Sequence, residues 1–149
     1  MIDQLRKELE ADEGCKYEIY LDHLGLPTFG IGHLVTKDDP EHGQPVGTPV
    51  SEERVQEVFE QDIEVTLSEC RKHYNDYYND LPEEVQLVLA NMMFNLGRPR
   101  LSKFVSMKRH LEARDWDKMA DEMVDSRWYN QVTNRAERLV QRIRSMENA

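Results

Sequence analysis

Apolar residues Ile2, Leu5 and Leu9 recur at helical spacing, and carrying that stripe on by four residues reaches Glu13. The spacing predicts a helix over residues 1–13 with Glu13 on its last turn, stopped by Gly14 in a left-handed conformation. From Lys16 to Asp22 the period falls to two, with Tyr17, Ile19 and Leu21 on an inward face and Glu18, Tyr20 and Asp22 on the other. Thr28 to His33 alternates again, with Thr28, Gly30 and Gly32 opposite Phe29, Ile31 and His33. Gly25 and Pro27 mark the turn between, so the stretch reads as a hairpin with Asp22 and Thr28 flanking its tip.

Residues 36–50 concentrate Pro40, Gly43, Pro45, Gly47 and Pro49 and read as a loop with a short strand. Asp38, Asp39, Glu41 and His42 within it have the donor types of a metal site, but an acidic surface loop is more simply solvated. Ser51 then caps a helix, with Val50 and Val55 as a hydrophobic staple and Glu52 and Glu53 favouring the N-terminal dipole. Val55, Val58, Phe59, Ile63, Thr66, Leu67 and Cys70 form its inward stripe, in which Asp62 is the polar exception. A carboxylate there needs a partner.

Beyond Cys70 the apolar spacing lapses, leaving Tyr74, Tyr77 and Tyr78 to cover a junction between lobes. Pro82 suits the first turn of a new helix, and Val85 to Leu96 is apolar nearly all round, which predicts a central helix ended by Gly97. Two amphipathic helices follow, one over Phe104, Met107 and Leu111 and one beginning near Asp115 with Trp116, Met119, Ala120, Met123 and Val124. Asn134 with Glu137 predicts the cap of a last helix that turns Ala136, Leu139, Val140 and Ile143 inward. The first helix is expected to pack on this larger helical lobe.

The 149 residues suffice for one core, or a larger and a smaller lobe sharing a helix. No apolar run reaches membrane-spanning length, and the N-terminus lacks the basic start and apolar centre of a signal peptide, so neither membrane insertion nor export is expected. Residues 1–97 hold 7 Lys+Arg against 21 Asp+Glu, whereas residues 98–149 hold 12 against 8. So acidic a chain is not expected to bind nucleic acid, although its basic C-terminal third can face another anionic polymer. Cys15 and Cys70 lack metal-site spacing and read as free thiols.

The chemistry gathers between Asp12 and His33. Partial burial and the negative end of a helix dipole favour the protonated form of Glu13, as a general acid requires, while Asp22 at a strand end stays ionised beside a hydroxyl that can orient a water. Two carboxyl groups held in different protonation states are the working parts of a glycoside hydrolase.

The order of these residues resembles the phage T4-type lysozymes, a glycoside hydrolase family 24-like group of muramidases. It stands here as Asp12-Glu13-Gly14, Ile19-Tyr20-Leu21-Asp22, Gly25, Gly30-Ile31-Gly32-His33-Leu34 and Thr36-Lys37. The likeness returns in Asn91-Met92-Met93-Phe94 with Gly97, in Phe104, and in Ser126 to Gln131 followed by Asn134-Arg135-Ala136. It implies an α+β, mostly helical lysozyme-like fold built as one domain over residues 1–149. Within it, a helix over 1–13 packs on the large lobe, 14–60 form a small β lobe, 51–75 a connecting helix and 76–149 a helical lobe, with Glu13 at the cleft.

The resemblance further implies an inverting muramidase that cuts the β-1,4 bond between N-acetylmuramic acid and N-acetylglucosamine. Glu13 would be the general acid, with Asp22 and Thr28 positioning the water, and Leu34, Phe94 and Arg135 matching substrate-binding positions. Arg135 also matches an arginine near the glutamate, a cation that would oppose the effect of burial and leaves the net shift of Glu13 open. It pairs His33 with Asp62 as a structural unit. No metal or cofactor is implied. Peptidoglycan is the expected partner of a monomeric phage endolysin, held in the host cytoplasm until a holin-type permeabiliser opens the way to the wall. A virion-borne lysozyme and a non-catalytic wall-binding module are the rival readings. Met107 and Glu122 depart from family positions that can hold serine and asparagine, and the acidic balance departs from the basic phage T4 enzyme.

Overall fold

The structure, a computed structural model, describes residues 1–147. Helix α1 (Ile2–Glu13) buries Leu5 and Leu9 completely, but Ile2 stays exposed at the first turn, so the apolar stripe is one residue shorter than expected. Gly14 ends the helix at φ 72°, donating its N–H to the Glu10 carbonyl at 3.0 Å, the left-handed stop that its sequence position predicts.

Three strands follow, β1 (Lys16–Leu21), β2 (Pro27–Gly30) and β3 (His33–Leu34), forming an antiparallel sheet in that order. Thr28 is the Cα partner of both Tyr20 on β1 and Leu34 on β3. The inward face expected for β1 is only partly realised: Ile19 is buried, whereas Tyr17 and Leu21 are 48% and 52% exposed. The register shifts between Lys16 and Tyr20, and this irregularity breaks the strict alternation on which the expectation rested. The Pro- and Gly-rich loop contributes a bridge between Pro49 and Glu18, and Ile19 N–H donates to Thr48 O at 3.0 Å on the free edge of β1.

Helix α2 (Glu52–Tyr74) starts as its sequence predicts, with Ser51 Oγ accepting from Arg54 N–H at 3.1 Å. Val55, Val58, Phe59, Ile63, Thr66, Leu67 and Cys70 are all buried along one stripe. The chain divides into two compact units, Ile2–Val65 and a second from Thr66 onward together with Met1, so the division falls inside α2. The first unit contains α1 and the sheet.

In the second unit a 3-10 turn (Asn75–Asp80) follows α2, with Tyr74 and Tyr78 fully buried and stacked at 6.4 Å. Helix α3 (Glu83–Leu96) has Pro82 as N-cap and is buried on most of its circumference, as its apolar run requires, and Gly97 ends it. Then come α4 (Arg98–Leu101), α5 (Val105–Glu112), α6 (Trp116–Val124), α7 (Arg127–Gln131) and α8 (Thr133–Arg144). Asp115 caps α6, its side chain accepting from Lys118 N–H.

The cap expected at Asn134 is not there. Helix α8 begins two residues earlier, with Val132 as N-cap and no side-chain cap bond, so Asn134 lies inside the first turn. Glu137 instead accepts from the Tyr129 hydroxyl at 2.5 Å and from Gln141 Nε2 at 2.6 Å. Among the described residues, no helix is long and apolar enough to cross a membrane. The fold is α+β and mostly helical, as expected.

Candidate active site

Glu13 is half-buried at the last position of α1. The turn between β2 and β3 runs close beside it. At Gly32, whose φ is +66°, a Cβ would lie 2.6 Å from Glu13 Oε1 and 3.0 Å from Cδ, so any side chain there would require the Glu13 carboxyl group to shift. The glycines of the Gly30-Ile31-Gly32 run therefore serve separate ends, because the Cβ position of Gly30 abuts Val55 Cγ1 at 3.0 Å on the core side.

Asp22 closes the β1–β2 hairpin. Its Oδ1 accepts from the backbone N–H groups of Leu24 at 2.8 Å and Leu26 at 2.9 Å, the local bonding that makes aspartate a turn residue. Leu26 also ties in the third candidate, because its carbonyl accepts from Asp22 N–H at 2.9 Å and from the buried Thr28 hydroxyl at 2.9 Å. One peptide segment thus fixes both side chains. The hydroxyl proton of Thr28 is directed at the carbonyl, which leaves oxygen lone pairs for a donor such as water.

Tyr20 lies within electrostatic range of both Asp22 and Glu13. It faces Thr28 across the β1–β2 pair and lies two residues from Asp22, so both extend from neighbouring positions on one side of the hairpin. Burial raises its phenol above the ordinary value of 10, and the charges of Glu13, Asp22 and Cys15 raise it further. Lys16 Nζ sits 4.3 Å from the centre of its ring. Sequence reading placed Tyr20 on the polar face with Asp22 but gave it no part in the site.

His33 bonds through Nδ1 to Asp62 Oδ2 at 2.7 Å, the pairing expected of it, and through Nε2 to Asp39 Oδ2 at 2.9 Å, which was not expected. Burial opposes the imidazolium, but the hydrogen bonds and charges of Asp62 and Asp39 outweigh burial and raise its pKa above 6.5. The network continues, with Arg54 donating to Glu41 through Nε at 3.0 Å and Nη2 at 3.1 Å, and to Asp39 Oδ1 at 3.3 Å. Asp39 and Glu41 are therefore not solvated loop acids. Glu41 is buried, and both are paired with cations reached across distant sequence positions.

Leu34 is exposed on β3 in the same unit, beside Thr28 in the register. The remaining candidates belong to the second unit. Phe94 is half-buried on α3, and three residues earlier on that helix Asn91 Oδ1 accepts from Arg135 Nε at 2.9 Å, with both of these polar residues buried. Met107 and Glu122 line one pocket with Phe104, Ser106, Asp125 and Ser126, so the two departures from the family pattern fall in one place. Met107 is buried there.

The family model for phage lysozyme matches residues 10–147, which is nearly the whole chain. The chain belongs to the phage lysozyme family. That match spans Glu13, Asp22 and Thr28 as well as the helical second unit. Among its relatives is the probable T4-type lysozyme 2 of Dictyostelium discoideum, 31% identical over 94% of this chain and 93% of that protein. The pre-baseplate central spike protein Gp5 of Enterobacteria phage T4 is 28% identical over 88% of this chain but only 26% of its own length. The peptidoglycan hydrolase gp36 of Pseudomonas phage phiKMV is 27% identical over 93% of this chain and 15% of its own length.

Proposed function

We propose that this phage lysozyme is a peptidoglycan hydrolase that cuts the β-1,4 bond between N-acetylmuramic acid and N-acetylglucosamine by a single inverting displacement. The observation that carries the reading is the Asp22–Leu26–Thr28 clamp, with Tyr20 in electrostatic reach of both Glu13 and Asp22. Glu13 donates its proton to the glycosidic oxygen as the bond to the anomeric carbon breaks. A water on the opposite face forms the new bond and gives up its proton to Asp22. Thr28 accepts a hydrogen bond from that water, which aims an oxygen lone pair at the anomeric carbon. Leu34, Phe94 and Arg135 contact the substrate, with apolar side chains against sugar faces.

The biological role we propose is that of a monomeric endolysin, held in the host cytoplasm until a holin-type permeabiliser gives it access to the wall. A virion-borne lysozyme is the second reading, favoured by the likeness to the phage T4 spike protein. Mass spectrometry of purified virions distinguishes them, since an endolysin is absent from the particle.

The bond is tested by mass spectrometry of borohydride-reduced products from purified peptidoglycan. Muramitol at the new reducing ends supports the reading, and glucosaminitol overturns it. Proton NMR of the first product formed tests the displacement, an α-anomer being expected from a β-linked substrate.

A further inference from the structure

The two units differ sharply in charge. Residues 2–65 hold 5 Lys+Arg against 16 Asp+Glu, whereas residues 66–149 hold 14 against 13. Within the second unit the cations are not evenly spread. From Arg98 to Leu111 the chain carries Arg98, Arg100, Lys103, Lys108, Arg109 and His110 with no carboxylate. The last turn of α2 adds Arg71, Lys72 and His73.

Part of this charge converges. Glu69 on α2 is the shared partner of Arg98 at 3.1 Å and Lys72 at 3.9 Å, one carboxylate for two cations. His73, four residues beyond Glu69 on the same helix face, is half-buried beside Lys108 and Arg98. Burial and then those two charges hold its imidazole below the ordinary 6.5, as expected where positive potential accumulates. Lys72 is exposed and Lys108 half-exposed, so solvent and an anionic chain can reach the cluster.

We propose that the face formed by the end of α2, α4 and α5, centred on Lys72, Arg98 and Lys108, is a docking surface for the carboxylate-bearing peptide stems of peptidoglycan. The inference rests on the peptidoglycan reading above and adds a contact that is separate from bond cleavage. Charge complementarity selects the occupant. A polymer that repeats a carboxylate along each strand offers many weak partners at once, and a cluster in which Lys72 and Arg98 share the single carboxylate of Glu69 can engage several of them, although Glu112 at the end of α5 offsets part of the charge of Lys108. The acidic first unit has no such attraction for the wall, so the basic face is what retains the protein there between cleavage events.

Binding to purified sacculi is measured in the Glu13→Gln background, so that the wall is not digested. The triple variant Lys72→Gln, Arg98→Gln, Lys108→Gln is expected to bind about tenfold more weakly at low salt. The charge-preserving variant Lys72→Arg, Arg98→Lys, Lys108→Arg is expected to bind as the parent does. Parent binding is expected to weaken at least about fivefold between about 0.02 M and 0.2 M salt, as screening shortens the reach of the cluster. Glycan strands stripped of their stems by an amidase, and free of attached phosphate polymers, are expected to bind the parent and the triple variant equally weakly.

Unchanged affinity of a folded triple variant overturns the proposal, and so does salt-insensitive binding by the parent. Full affinity for stem-free strands overturns it as well, and selective loss of binding when only the phosphate polymers are removed assigns the face to those polymers instead. Failure of the wild-type chain to clear peptidoglycan would remove the hydrolytic reading while leaving these binding results to stand or fall alone.

Discussion

A Cβ placed on Gly32 would lie 2.6 Å from Glu13 Oε1, so the turn between β2 and β3 and the last residue of α1 approach each other as closely as glycine permits. The position of the carboxyl group proposed as the acid thus depends on a missing methyl group. Gly32→Ala is expected to push Glu13 aside and to cost about 1–2 kcal/mol through its left-handed backbone. A displacement of about 1 Å at a reacting group lowers turnover on the order of 100-fold. Gly43→Ala is the matched control, because Gly43 has φ +83° and open space around its Cβ position. It is expected to lower the melting temperature without changing the clearing rate. Turbidity loss and thermal unfolding of both variants check the pair.

Asp22 and Thr28 can be separated from their structural duties. In Asp22→Asn the amide oxygen still accepts from Leu24 and Leu26, so the turn is kept while the charge is lost. Stability is expected to change little and the clearing rate to fall about 100-fold or more. Thr28→Val removes the bond to the Leu26 carbonyl, at about 1 kcal/mol, together with the acceptor for water. Thr28→Ser keeps both and is expected to retain most activity.

The His33 network makes stability depend on pH. The folded pKa of His33 is raised, so its contribution is complete below the unfolded value near 6.5 and is lost as pH rises through the folded value. Asp39 runs the other way. Burial raises its pKa, but the bonds from Thr36 and His33 outweigh this and lower it, so its contribution is present above the unfolded value near 3.8 and is lost as pH falls through the folded one. Denaturant unfolding of wild type and His33→Asn is expected to differ by about 1–3 kcal/mol near pH 6, with the gap closing at alkaline pH.

The two thiols are expected to react differently with a thiol-specific reagent such as DTNB. Cys15 is exposed, whereas Cys70 is buried and burial pushes its thiol up to about 12. The native protein should titrate as one reactive cysteine and the unfolded protein as two. Two rapid equivalents under native conditions would contradict the burial of α2 at Cys70.

What could be read from the chain was what nearby residues decide. The Ser51 cap and the seven-residue stripe of α2 follow from local propensity and a single repeated period, and they occur as expected. The alternation of β1 failed because a register shift needs knowledge of the partner strand. Asn134 looked like a cap, but the chain turns into α8 at Val132, and Glu137 is engaged by Tyr129 and Gln141. The pairing of His33 with Asp62 came from the family pattern, while Asp39, Glu41 and Arg54 looked like ordinary surface charges. Their partners lie 6 to 15 residues away along the chain, and no periodicity marks them. The short helices α4 and α7 carry too few residues to show a period at all.

The central claim is that Glu13 supplies the proton for hydrolysis of the wall. It is tested most directly by clearing of purified peptidoglycan with wild type and Glu13→Gln, each checked for folding by circular dichroism and for wall binding by sedimentation. The account predicts that the wild type clears the suspension, and that Glu13→Gln folds and binds equally well but does not clear it. A folded Glu13→Gln that clears at the wild-type rate, or a wild type that binds and never clears, would contradict it.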